Sequence, residues 1–122
     1  MENSLNLVHI CARKNLMADK LWKAVERRIA KYLGGERVPI TGRQRGSAPD
    51  IKHEWLSIEV KQRESLPAWV HDAMDQATSS QIFMPVEAKF QLPVVILHET
   101  GKRIEDDYVV LRLEDFRDWF VK

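Results

Sequence analysis

The chain has 122 residues, 44% apolar and 30% charged, the size and composition of one globular domain that can bury a core without staples. A single cysteine, Cys11, excludes an internal disulfide framework and a cysteine-based zinc site. The longest apolar run, Leu92 to Leu97, falls far short of the ~20 residues that cross a bilayer, and the start of the chain lacks a signal-peptide core. The expectation is therefore a cytoplasmic protein of bacterial, archaeal or phage type, with no membrane partner. The net charge of +1 hides a split. Residues 1–63 carry 13 Lys/Arg against 7 Asp/Glu, a net +6, while residues 64–122 carry 6 against 11, a net −5. A basic half points to a polyanionic partner on one face; the plain alternative is an ordinary solvated surface.

Residues 1–15 are polar and aperiodic, an N-terminal arm or a loose end. From Met17 to Leu33, Trp22, Val25, Ile29, Tyr32 and Leu33 recur at spacings of three and four, the pattern of an amphipathic helix. Gly34-Gly35 ends it. Arg37 to Ile40 is a short extended stretch, followed by the polar turn Thr41 to Ser47. Two strands come next, Asp50 to Lys52 and Leu56 to Gln62. In the second, Leu56, Ile58 and Val60 alternate with Ser57, Glu59 and Lys61, giving one apolar and one polar face. His53-Glu54-Trp55 is the length of a hairpin connection.

Leu66 to Ser79 reads as a second helix with Pro67 in its first turn and Trp69, Val70, Ala73, Met74 and Ala77 as its apolar stripe. Pro93 to His98 and Tyr108 to Leu113 are apolar strands, the first apolar on both faces like a central strand covered by helices. Thr100-Gly101-Lys102 is a turn, and Glu114 to Phe120 is a closing helix. The order α-β-β-β-α-β-β-α predicts an α/β domain with a mixed sheet.

The chemistry concentrates at Pro49-Asp50 and Glu59-Val60-Lys61. Glu59 and Lys61 lie two apart on a strand and share its polar face. Asp50 stands across the hairpin, within approach of Glu59. Two neighbouring carboxylates repel and call for a cation or a proton between them. Hard oxygen ligands suit Mg²⁺, with Mn²⁺ as a substitute, and a lysine beside such a metal can stabilise phosphate charge or orient the attacking water. The plain alternative is a solvated strand face bearing a Glu–Lys pair.

These residues resemble the PD-(D/E)XK nuclease signature, and the element order resembles that superfamily's restriction-endonuclease-like αβββαβ core. Over roughly residues 20 to 113 the chain is most similar to the archaeal-type Holliday junction resolvases and their phage relatives. The resemblance implies an Mg²⁺-dependent endonuclease with Asp50 and Glu59 as metal ligands and Lys61 as the catalytic cation. It implies a third carboxylate from the first helix, where Glu26 fits. Helical geometry also places Glu26 at the border of the buried stripe, from which it can reach the sheet edge; the alternative is an exposed glutamate paired with a nearby Arg or Lys. It implies a DNA-contacting loop before Asp50, which here is Thr41, Gly42, Arg43, Gln44, Arg45, Gly46 and Ser47, with Arg43 and Arg45 as phosphate-neutralising cations. Arg13, Lys14, Arg27, Arg28, Lys52 and Arg63 extend the basic surface. Gln76 is an accessory candidate by likeness to a polar helix residue near the metal of related nucleases. Symmetric cleavage of a four-way junction implies a homodimer.

Other chemistries lack support. His9, His53, His71 and His98 show no metal-ligand spacing. Ser47, Ser57 and Ser65 have no base partner for a nucleophile motif, and no Walker loop or dinucleotide fingerprint is present. Trp55, Trp69, Trp119 and Phe120 read as core or interface residues. Two alternatives to a junction resolvase remain: a same-fold nuclease acting on other DNA, of phage, repair or restriction type, and a DNA-binding protein without catalysis.

Overall fold

The computed structural model describes residues 21–39 and 49–121. The loop candidates Thr41, Arg43, Arg45 and Ser47, and residues 1–20, lie outside the described residues. The chain is mixed α/β and divides into two compact units, Met1–Gln62 and Arg63–Lys122.

In the first unit, residues 21–33 form helix α1. Glu26, Ala30 and Leu33 are its buried positions. They recur at spacings of four and three and so line one face. The buried face is thus centred on Glu26, whereas the apolar pattern puts Glu26 at its border. Ile29 is half-buried and packs against Ala30, Ile51 and Val60. The helix ends in paired backbone bonds, Gly35 N–H to the Ala30 carbonyl and Gly34 N–H to that of Lys31, with Gly34 at φ +76°. This satisfies two terminal carbonyls in a Schellman-type cap that favours glycine. Gly35 has a different reason to be glycine: a Cβ there would lie 2.6 Å from the Lys52 carbonyl oxygen and 2.9 Å from Ile51 Cγ2.

That close approach brings in strands β1 (Glu36–Arg37) and β2 (Ile51–Lys52), antiparallel with Arg37 opposite Ile51. Val38 still donates its N–H to the Asp50 carbonyl, and Pro39, without an N–H, cannot carry the ladder further. The expected strand Leu56 to Gln62 is reduced to one bridge, Ile51 to Ile58. Its alternation survives: Val60 is buried and Ile58 half-buried, while Ser57, Glu59 and Lys61 are exposed. Its ladder is cut short because the Val60 N–H donates to the Asp50 carboxylate at 2.7 Å. A side chain has taken the donor that a longer ladder would use.

The turn between them is organised by His53. Its Nε2–H donates to the Leu33 carbonyl at 2.8 Å, and its Nδ1 accepts the N–H groups of Trp55 and Leu56 at 3.3 Å each. The imidazole thereby ties the hairpin tip to the end of α1. Trp55 stands edge-on to it and is exposed, which removes the core half of the core-or-interface reading.

In the second unit, helix α2 (Ala68–Ser79) starts one residue after Pro67, which is the cap and not part of the first turn. Met74 is buried; Val70, Ala73 and Ala77 are half-buried, and Trp69 is exposed. A short hairpin absent from the sequence reading follows, β3 (Phe83–Met84) and β4 (Lys89–Phe90), with Phe83 and Phe90 packed edge to face. Ala88, at φ 51°, makes its turn. Strands β5 (Val95–Leu97) and β6 (Tyr108–Val110) pair antiparallel in register Val95–Val110, Ile96–Val109 and Leu97–Tyr108. One step further, His98 and Asp107 stand opposite and bond at 2.7 Å, extending the ladder through side chains. The chain closes with helix α3 (Leu113–Phe116) and a π-helical turn, Arg117–Val121, where a single helix over Glu114 to Phe120 is expected.

The strands therefore form three separate two-stranded antiparallel pairs among the described residues, not one mixed central sheet. Val94 and Ile96 are exposed, so the strand read as central and covered is open. Phe120 is exposed as well, and Trp119 is half-buried beneath the Lys89 ammonium, 3.5 Å from the ring centroid. No helix of the described residues is long and apolar enough to cross a membrane.

Candidate functional site

Asp50 and Glu26 are the two buried charged residues among those described, 7% and 1% exposed. A bare carboxylate in such a place is costly, so what holds each one is informative.

Asp50 is placed by an irregularity in the strand pair. Its N–H donates to the Ile58 carbonyl at 3.2 Å, and the next residue, Ile51, also bridges Ile58. Two residues of one strand thus oppose one of the other, the count of a β-bulge. Regular alternation would send Asp50 and Ile51 to opposite faces. With the bulge both are buried, and the Asp50 carboxylate turns onto the backbone of the facing segment, where Oδ2 accepts the Val60 N–H. The acid is therefore fastened to the middle residue of Glu59-Val60-Lys61. Its own carbonyl accepts the Val38 N–H at 3.0 Å, which locks this corner to the end of β1.

Glu26 is held by Arg37 of β1. The guanidinium Nε lies 2.6 Å from Oε2. The alternative of an exposed glutamate paired with a neighbouring cation is half met: the cation is there, but the pair is inside. The other oxygen, Oε1, is buried without a hydrogen-bond partner. Sequence reasoning missed Arg37. Its spacing of 11 from Glu26 fits no local rule, because the contact passes through the α1–β1 corner and is tertiary in origin.

Glu59 and Lys61 lie exposed on one strand face, as their spacing predicts, and pair with each other at 3.3 Å. At their exposure such a pair contributes little to stability. Arg27 and Arg63 are exposed, Arg27 on α1 and Arg63 at the start of the second unit. Gln76 is an exposed residue of α2, in the second unit.

The structure thus brings Asp50 together with the Glu59-Val60-Lys61 segment and joins Glu26 to Arg37. Among the described residues, no group of three or more His, Cys, Asp or Glu side chains is gathered to hold a metal ion. The donors nonetheless suit a hard divalent cation. Glu26 offers a buried oxygen that nothing satisfies, and Asp50 a carboxylate fixed through one oxygen.

No family model, curated protein or solved structure matches the chain.

Proposed function

We propose that the chain is a Mg²⁺-dependent, structure-specific DNA endonuclease of the PD-(D/E)XK type, acting on four-way junctions as a homodimer. One observation carries the reading most: the bulged Asp50 carboxylate is bonded to Val60, the residue between Glu59 and Lys61. The two halves of the motif, with eight residues between them, meet through that bond. Asp50, Glu59 and Glu26 would hold the metal, and Mn²⁺ would substitute. Bound there, the ion would supply Lewis-acid polarisation of the phosphodiester and a more acidic water. Lys61, carried on the same face as Glu59, supplies a cation for the developing phosphate charge. Arg43 and Arg45, with Thr41, Ser47 and Arg27, would supply phosphate contacts. The basic first half favours a polyanion. Two active sites related by a twofold axis match a substrate cut twice symmetrically. The same residues serve a nuclease acting on other DNA, and the substrate test below separates the two.

The commitment of Glu26 to Arg37, and of Glu59 to Lys61, favours a second reading: a DNA-binding protein in which internal cations neutralise these acids. The deciding assay compares a synthetic four-way junction with a matched linear duplex, in Mg²⁺ and in EDTA, for wild type and Asp50→Asn. Asparagine can still accept the Val60 N–H, so the fold is kept while the charge is lost. Paired, metal-dependent cuts in the junction alone, reduced at least ~100-fold in the variant, establish the resolvase. Equal cutting of the duplex keeps the nuclease and discards the junction preference. Junction binding in EDTA without cleavage under any divalent metal establishes the binding protein.

A further inference from the structure

The Glu26–Arg37 pair is incomplete in an informative way. The Glu26 side chain is 2% exposed and that of Arg37 19%, so both charges are largely removed from water. Taking ions out of water offsets most of their mutual attraction unless the remaining lone pairs are also satisfied. Here Oε2 has its donor and Oε1 has none. An orphaned buried acceptor costs about 1–3 kcal/mol. A pair kept for stability alone would close both oxygens; a pair closed on one side leaves the other for a ligand. Arginine also does more than neutralise. Its planar guanidinium fixes the direction of the carboxylate, which a flexible lysine ammonium does not.

We infer that Arg37 is a positioning residue: it clamps Oε2 of Glu26 so that Oε1 remains available to a hard divalent cation. The inference rests on the nuclease reading for the identity of that cation. Arg37 touches neither metal nor DNA in this role and acts through Glu26.

The test uses the full chain with Mn²⁺ as the probe. Mn²⁺ affinity is measured by calorimetry, junction binding in EDTA, and single-turnover cleavage in Mg²⁺, for wild type, Arg37→Lys and Glu26→Gln. Folded Arg37→Lys is expected to bind Mn²⁺ at least fivefold more weakly, and to cleave at least tenfold more slowly with partial recovery at high metal. Its junction affinity in EDTA should stay within twofold of wild type. A purely structural role would leave Mn²⁺ affinity unchanged in the folded variant, and that result overturns the inference. A matching loss of junction affinity in EDTA also overturns it, by making Arg37 a phosphate contact. If Arg37→Lys does not fold, the Arg37 Nε–H resonance of wild type gives the readout. It must move when Mn²⁺ is added and when Glu26 is changed to Gln, and Mn²⁺ affinity must fall in Glu26→Gln; either failing overturns the inference. Mn²⁺ binding that depends on Arg37, in a chain that cleaves no DNA, removes the nuclease and keeps the positioning role. Cleavage indifferent to Arg37→Lys does the reverse, and a wild type that binds no Mn²⁺ removes both.

Discussion

The two units of the chain treat charge in opposite ways. In the first, Glu26 and Asp50 are buried beside Ala30, Leu33, Ile51 and Val60, and each acid has a dedicated partner, a guanidinium or a backbone N–H. In the second, every described charged side chain is outside the buried set, and Met74 and Pro93 are its buried residues. The pairs of Arg103 with Glu105 and Asp106, Arg112 with Asp75 and Lys89 with Glu87 lie in solvent. Arg112 also reaches the Thr78 hydroxyl, tying the start of α3 to α2 by polar contacts. The difference teaches where stability and chemistry are coupled. A charge in water is interchangeable, whereas a charge in a core must be specified by its neighbours, and those neighbours are then legible as a site.

The contrast is broken most directly at the buried pair. Arg37→Met strands the Glu26 carboxylate and should lower unfolding free energy by roughly 3–5 kcal/mol in urea titration. Adding Glu26→Gln to that variant should recover part of the loss; no recovery would mean that Arg37 stabilises by packing. Core truncation comes next. Ile51, 0% exposed, should cost about 2–5 kcal/mol as Ile51→Ala, while Ile96→Ala on the open β5 strand should cost under ~1 kcal/mol. Equal costs would show Ile96 to be covered in solution. Gly35→Ala pushes a methyl against the Lys52 carbonyl and should cost about 1–3 kcal/mol, seen as a lower urea midpoint. The smallest effect is Arg103→Gln, expected below ~0.5 kcal/mol and shrinking further with added salt, since its partners are exposed and screened. A larger loss there would place a structural charge network in the acidic unit.

Much of the local architecture was readable from spacing. The 3–4 recurrence through Leu33 marks α1, Gly34 marks its end, and the alternation of Ile58, Glu59, Val60 and Lys61 assigns their faces correctly. The turn at His53 and the α2 interval follow from the same kind of signal. Other features were not readable, for particular reasons. The β3–β4 hairpin turns at Ala88 without the Asn-Gly or Asp-Gly signal that usually announces such a turn. The strand over Leu56 to Gln62 carries the right pattern, but pattern assigns faces and not hydrogen bonds. The Asp50 side chain intercepts its Val60 donor. Leu92 to Leu97 is apolar throughout, yet Val94 and Ile96 are exposed, because composition states what a strand prefers and not what covers it.

The candidate site divides along the same line. Periodicity alone determined that Glu59 and Lys61 share a face and that Glu26 borders the apolar stripe of its helix. Those facts follow from the 2.0 and 3.6 repeats of the backbone. Only the tertiary structure decided that Asp50 turns inward beside Ile51, because a bulge is one extra residue in a pairing that sequence does not display. It alone decided that Glu26 lies at the centre of the buried face, closed by Arg37 on one oxygen and open on the other. A buried charge chooses its partner by proximity in space, and a spacing of 11 positions, through a glycine corner and into a strand, leaves no periodic trace of that choice.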